Sequence, residues 1–327
     1  MPGAVSLFLF KLMKYLFSLL GILSLCLQVF TGLVPLHLFA FPTNLLVLLL
    51  MLYLVWMNYR FSLSKGKPIS LASSSACVIA ITGLLSGMLI MGLFPQTASW
   101  SPLPGENNIV QIVAYRLGFY SFSSSWIFAF ILLYFLTVLA AVIFRRGLSL
   151  LQKLKLAERR SRAIWTDSSF VLNHLGLWLA VLAGFLGSSD EIRSKMIIDR
   201  HELINVAYKQ PNGKHFLPFY LGLKDFKIQY HSSGEIIDYR AELWMTESKE
   251  SAGTTASLRV NHPLRYKTYD IYLSTYDVEK GEESEYVVLL LIRQPWKKLM
   301  YSGIIMMVLG ALFLFISTAR NLKKKSP

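Results

Sequence analysis

The sequence has few charged residues, and this shortage excludes a large class of proteins. Charged side chains make up 16% of the 327 residues, whereas soluble domains carry about 25%. Hydrophobic residues make up 54%, and the mean hydropathy is +0.47. An ordinary soluble enzyme is therefore excluded, and the apolar surplus indicates a membrane protein.

Cysteine is also scarce. Cys26 and Cys77 both lie in apolar runs, and neither has Cys-x-x-Cys or metal-ligand spacing. The long polar stretch at 189–298 has no cysteine, which excludes disulfides and thiol redox chemistry there. A glycine-rich phosphate loop, a His-Glu-x-x-His motif and a paired carboxylate motif are missing as well. We therefore predict no catalytic residue in this chain.

Uncharged runs of about 20 residues predict a polytopic α-helical membrane protein with about six spans. These runs are 15–33, 38–57, 75–94, 125–144, 170–187 and 299–317. Pro42 and Asn44 interrupt the second run, so a short or re-entrant segment is the alternative there. Gly83-x-x-x-Gly87 in the third run predicts a close helix contact.

The net charge of +14 is unevenly distributed in this arrangement. When the polar segments are assigned alternately to two sides, the side with both termini carries 16 basic side chains against two acidic ones. The positive-inside rule makes that side cytoplasmic, so we expect both termini in the cytoplasm and residues 189–298 exported. The location is then the cytoplasmic (inner) membrane. Topology and lipid headgroups account for the charge, and no nucleic-acid partner is expected.

The polar stretch predicts an exported β-rich domain of about 110 residues, large enough for its own core. Apolar and polar residues alternate at 226–230, 239–245 and 269–273, and a last strand follows at 285–293. We expect an antiparallel sheet folded into a sandwich or partial barrel, with a short amphipathic helix between Asp190 and His201. Four parts result: two additional N-terminal spans (1–60), core spans three to five with a basic cytoplasmic loop (61–188), the exported domain (189–298), and the last span with a basic tail (299–327).

One titratable side chain, His174, clearly lies inside a predicted span. Ion-coupled permeases usually carry charged groups there, so a permease is disfavoured. A neutral imidazole could ligate haem iron, with the macrocycle in a cleft beside Gly176 and Trp178. The alternative is a histidine that hydrogen-bonds between helices or reaches the interface. His37, in the first outer loop, and His201, beyond the fifth span, are weaker haem-ligand candidates, and no other metal is expected.

Several segments together resemble one protein family. The third span ends in Gly-Leu-Phe-Pro-Gln at 92–96, and Leu-Gly-Phe-Tyr at 117–120 precedes the next span. The most specific segment is Val-Asn-His-Pro-Leu-Arg-Tyr at 260–266, which leads to Ile-Tyr-Leu-Ser-Thr-Tyr-Asp at 271–277. These segments resemble the ResB family (also called CcsB or Ccs1) of system II cytochrome c biogenesis over roughly residues 70–317. The first two spans then look like an addition to a four-span core.

The resemblance implies a non-autonomous membrane subunit of a cytochrome c haem lyase. Such a subunit helps to move b-type haem across the membrane and to present it to apocytochromes c with Cys-x-x-Cys-His motifs. It implies a ResC/CcsA-type partner with a tryptophan-rich haem segment and thiol-reducing proteins outside the membrane. It also places His174 in the helix that receives haem. The alternative function is a non-enzymatic, membrane-anchored scaffold or sensor whose exported β-domain binds a partner protein.

Overall fold

The computed structural model describes residues 18–65, 70–97, 108–155, 162–200, 202–209 and 213–323. The chain divides into two compact units. One unit comprises Met1–Ser189 and Trp296–Pro327, and its described elements are mainly helices. The other, Asp190–Pro295, is built mainly from strands, so the chain leaves the helical unit once and returns to it once.

The helical unit has seven α-helices in its described residues. They are α1 (Ser18–Thr31), α2 (Thr43–Lys65), α3 (Ser74–Leu93), α4 (Ile109–Arg116), α5 (Trp126–Lys155), α6 (Arg162–Gly187) and α7 (Lys297–Lys323). Helices α2, α3, α5, α6 and α7 are long and apolar enough to cross a membrane, whereas the described part of α1 is shorter. Five of the six predicted spans therefore correspond to helices that could cross a membrane.

Helix α2 differs from the alternative left open for the second span. A short 3-10 helix at Leu36–Phe39 precedes it, and Pro42 stands just before the first helical residue, where its missing N–H costs no helical hydrogen bond. Asn44 is buried, and its Nδ2 donates to the carbonyl of Leu186 at 3.2 Å. The polar side chain is thus satisfied by α6. The segment is a helix of spanning length that begins at Thr43, so the short-segment alternative is wrong.

The strand unit is one eight-stranded antiparallel sheet in the order β5-β4-β3-β2-β1-β8-β7-β6. The strands are β1 (Ile192–Asp199), β2 (Ile204–Lys209), β3 (Gly213–Tyr230), β4 (Ile236–Thr246), β5 (Thr254–Arg259), β6 (Leu264–Tyr266), β7 (Tyr269–Tyr276) and β8 (Tyr286–Arg293). The predicted alternating segments lie in β3, β4 and β7, and the predicted last strand is β8. The prediction of an antiparallel sheet is confirmed.

The amphipathic helix expected between Asp190 and His201 is wrong, because this segment forms β1. Ser194, Met196 and Ile198 are buried, and the residues between them are exposed. This is the period of two that a half-buried strand requires. Charged residues at the alternate positions, such as Lys195, face away from the core.

The sheet curves around a single core. Phe219 of β3 makes edge-on ring contacts with Tyr266 and Tyr269, whose strands lie at the far side of the strand order, at centroid distances of 4.9 and 5.6 Å. An isolated bridge pairs Arg259 with His262, which links the last residue of β5 to the segment just before β6. A sheet whose distant strands meet over one core is a partial barrel rather than a sandwich of two sheets.

Helices α6 and α7 approach so closely that glycine is required on both. A Cβ atom on Gly176 would lie 2.5 Å from the carbonyl oxygen of Gly303, and a Cβ atom on Gly303 would lie 2.5 Å from that of Gly176. Further along, a Cβ atom on Gly310 would lie 2.7 Å from Cγ of Asn173. Ser169 fixes the alignment, because its Oγ donates to the carbonyl of Gly310 at 2.7 Å. We call this contact the α6–α7 seam.

Gly176→Ala should destabilise the helical unit, since the added methyl group meets backbone atoms that cannot move separately from their helix. We expect a loss of about 1–3 kcal/mol, as for other overpacked sites, and a lower Tm in detergent. Gly184→Ala is the matched control on α6, because no atom lies within 4 Å of its added Cβ. Equal Tm values for the two variants would show that the seam does not contribute to stability.

Candidate functional site

His174 lies on α6, partly buried, and one ring nitrogen is engaged by its own helix. Its Nδ1 lies 2.8 Å from the carbonyl oxygen of Phe170, one turn earlier. A carbonyl can only accept, so Nδ1 carries a proton, and in the neutral tautomer the lone pair is on Nε2. Nε2 has no hydrogen-bond partner among the described residues. The site therefore presents an imidazole whose Nε2 is not engaged by any described residue.

Phe170 stacks on this imidazole, and Arg146 lies over Phe170 in turn. The ring of Phe170 lies 3.7 Å from that of His174, centroid to centroid, with the planes 20° apart. The guanidinium carbon of Arg146, on α5, lies 5.3 Å from the centroid of the Phe170 ring. The hydrogen bond and the stack together fix the orientation of the imidazole plane, so little conformational freedom remains to be lost when Nε2 takes a ligand.

A buried carboxylate connects the same stretch of α6 to α5. Asp167 has only 8% of its side chain exposed, and its oxygens accept from Lys153 Nζ at 2.5 Å and Arg146 Nη1 at 3.3 Å. The two cations remain 31% and 47% exposed. A buried carboxylate between two basic groups is well compensated. This network holds Arg146 close to Phe170 and leaves positive charge accessible near His174.

The cleft expected beside Gly176 and Trp178 is filled by neighbouring helices. Gly176 forms the α6–α7 seam, and Trp178 is buried with its Nε1 donating to the carbonyl of Leu136 at 3.0 Å. Residues two apart on a helix point about 200° apart. His174 therefore faces away from Gly176, and a planar ligand of His174 must approach from another side of α6.

Of the other two predicted haem-ligand candidates, the structure describes only His37, and His37 does not join this site. His37 is exposed in the 3-10 helix at Leu36–Phe39, and the carbonyl of Phe39 accepts from Ser189 Oγ at 2.9 Å, at the far end of α6. His174 and Ser189 are separated by about 22 Å along a helix rising about 1.5 Å per residue. His201 lies outside the described residues. In the part of the chain that the structure describes, no cluster of three or more His, Cys, Asp or Glu could hold a metal ion.

An apolar cavity of about 250 Å³ lies among α1, α2 and α5, and no sequence pattern indicated it. Its walls include Leu23, Leu50, Trp126, Phe130 and Tyr134. The described lining has no histidine, lysine or arginine. The cavity thus offers neither a histidine for iron nor a cation for a carboxylate, and its chemistry suits hydrocarbon. Its walls come from residues that are far apart in the sequence, so no local pattern could have revealed it.

Comparison with known proteins found a family model and solved structures that are similar to this chain. A family model described as "ResB-like family" matches residues 156–285, and over this segment it confirms the resemblance found in the sequence. The matched segment contains α6 with His174 and the strands up to β7. A comparison with curated protein sequences found no match.

Among solved structures, "Cytochrome c Heme Lyase CcmF" is similar at 19% identity. The match covers 73% of this chain but only 39% of that chain, so this chain corresponds to about two fifths of the other protein's length. The TM-score is 0.37, below the level that establishes a shared fold.

Proposed function

We propose that this protein, whose residues 156–285 are ResB-like, acts in cytochrome c biogenesis as a membrane subunit of a cytochrome c synthase. It takes up b-type haem as a substrate in the membrane and helps to present it for covalent attachment to apocytochrome c. The partners are a ResC/CcsA-type membrane protein, apocytochromes with Cys-x-x-Cys-His motifs, and thiol-reducing proteins outside the membrane. The ResB-like match is the observation that carries this proposal.

His174 is the proposed haem ligand, and its surroundings support this role. Histidines that bind metals usually donate their second ring nitrogen to a carbonyl or carboxylate, which fixes the tautomer. His174 has this arrangement, because Nδ1 donates to Phe170 and Nε2 is free. Phe170 holds the ring plane. Arg146 and Lys153 supply exposed positive charge near the site for the two haem propionates.

The proposed orientation places the sheet unit outside the cytoplasmic membrane. Sixteen of the 33 basic side chains belong to segments on one side of the predicted spans, against two of the 19 acidic ones. Under the positive-inside rule, those segments face the cytoplasm. The region of α5 that contains Arg146 and Lys153 then lies at the cytoplasmic end, so haem enters from the cytoplasm.

Removing the chain should abolish covalent haem attachment to c-type cytochromes and leave b-type haem proteins intact, because only the former need exported haem and a synthase. Haem-stained gels of membrane fractions measure the first, and difference spectra measure the second. Reintroduction of the wild-type gene is the control. Unchanged c-type cytochromes in the deletion strain would refute the proposed function.

His174→Ala should assemble with its partner but lose the Soret band of the co-purified complex, because the iron ligand is gone. Imidazole in the growth medium should partly restore both the band and cytochrome c maturation by filling the space left. His231→Ala, in an exposed turn of the sheet unit, is the control. Normal maturation in His174→Ala would show that His174 only packs or hydrogen-bonds. A scaffold protein would show no haem band in any variant.

The orientation predicts opposite labelling of two engineered cysteines. In a chain with Cys26 and Cys77 replaced by serine, Ser233→Cys should react with a membrane-impermeant maleimide. The labelling uses cells whose cell wall or outer membrane has been removed and whose cytoplasmic membrane is intact. Gln152→Cys, exposed near the end of α5, should react only after the membrane is permeabilised. The reverse pattern would overturn the proposed topology while leaving the family assignment unaffected.

A further inference from the structure

One end of the barrel core is polar, unlike the rest. Along β8, Val287, Leu289 and Leu291 are fully buried, and the next residue of the same parity is Arg293. The register pairs Asp270 with Ile292, which places Tyr269 of β7 level with Arg293. Tyr269 is only 3% exposed. The inward-facing apolar residues of β7 and β8 therefore end in Tyr269 and Arg293, which lie opposite each other.

Tyr269 connects two strands that are distant in the sheet order. Its hydroxyl lies 2.9 Å from Nε2 of His215 on β3, and the charge of the Arg293 guanidinium acts on the pKa of Tyr269. Nε of Arg293 is nevertheless buried and without a hydrogen-bond partner in the described part of the chain. An unsatisfied buried donor of this kind costs about 1–3 kcal/mol, and more when it is charged.

A second polar group in the same region is also unsatisfied. Ser194 of β1 is 1% exposed, and its Oγ has no partner among the described residues. Ser194 pairs with Leu291, two residues from Arg293. On its other side, Lys195 pairs with Tyr208, which brings Ser194 level with Lys209 at the end of β2. We call Ser194, Lys209, His215, Tyr269 and Arg293 the polar layer.

The polar layer is positively charged. Lys209 and Arg293 form no ion pair shorter than 4.0 Å with any described acidic residue. Burial, followed by the charges of Lys209 and Arg293, lowers the pKa of His215 below its ordinary value. Burial raises the pKa of Tyr269, so its hydroxyl stays protonated. Two cations, two hydroxyls and a mainly neutral imidazole thus share one end of the core, with no described counter-ion.

We propose that the polar layer binds an oxyanion, either a carboxylate or a phosphate group, with Arg293 and Lys209 supplying the charge. Tyr269 and Ser194 can each donate a hydroxyl hydrogen bond, and the planar guanidinium can bind two oxygens at once. A bound metal cation is disfavoured, because these groups are mainly donors and already carry positive charge. The proposal is independent of haem handling, and it holds even if the function proposed above is wrong.

Thermal titration of the full-length protein in detergent tests the proposal. Tm would be measured while sodium acetate or sodium phosphate, at about 1 to 100 mM, replaces sodium chloride. The ionic strength would be kept constant throughout. We expect at least one of them to raise Tm of the wild type, because binding to the folded state stabilises it. The acetate and phosphate arms identify which oxyanion fits. Repeating both in nanodiscs of neutral or anionic lipid shows whether a lipid headgroup competes for the site.

Arg293→Gln should weaken the apparent affinity at least tenfold, since it removes the charge and the planar fork. Lys214→Gln removes the same charge from an exposed position beside His215 on β3 and should respond like the wild type. No Tm response to either anion in the wild type, or equal responses in the two variants, would overturn the proposal. If Arg293→Gln fails to accumulate, Ser194→Ala replaces it, and a response equal to the wild type would count against the site.

A second measurement reports on the layer directly. In ¹⁵N-histidine spectra assigned with His215→Asn, binding of the anion should raise the pKa of His215, because its charge offsets those of Lys209 and Arg293. Arg293→Gln should raise this pKa without any anion and remove the dependence on anion. A His215 pKa that is unaffected by saturating acetate and phosphate would refute binding at this place.

Discussion

The approach of α6 and α7 at Gly176 and Gly303 determines the arrangement of the helical unit. A bilayer provides no water to drive helices together, so close packing of backbones must replace that driving force. Once α6 is fixed by α7, it supports its other neighbours. Trp178 donates to a carbonyl of α5, and the carbonyl of Leu186 accepts from Asn44 of α2. Helix α6 thus connects α7 to α5 and to the start of α2.

The residues of α6 that pack against α7 and the proposed ligand His174 lie on different sides of the helix. The seam residues lie along one side of α6, and His174 projects from another, with its own hydrogen bond and its stack on Phe170. A change in the ligand face therefore need not disturb the seam. Helix α6 carries both the α6–α7 seam and Nε2 of His174. The position of Nε2 therefore depends on how tightly the seam holds α6.

Sequence patterns predicted the helices and strands that have a regular periodicity. They did not predict features that depend on contacts between residues far apart in the sequence. Hydropathy found the spanning helices, and alternation found β3, β4, β7 and β8. Segment 192–199 also alternates, although an amphipathic helix was expected there. An added Cβ on Gly87 or Gly83 would meet only side-chain atoms, at 2.9 Å and 3.5 Å respectively, so this motif marks no backbone contact. The α6–α7 seam does bring two backbones together, yet it contains no Gly-x-x-x-Gly motif. The polar layer was missed because it exists only through strand register.

The position of the sheet unit between α6 and α7 has a consequence for synthesis. The ribosome completes α6 and then the whole of Asp190–Pro295 before α7 exists. At about 5–20 residues per second, this takes roughly 5–20 s. Strand β1 also pairs late with one of its two neighbours, because β8 is the last strand to be synthesised. Throughout this interval the groove at Gly176 faces lipid instead of its partner helix. Membrane insertion must therefore tolerate a nascent chain whose most important helix contact is the last to form.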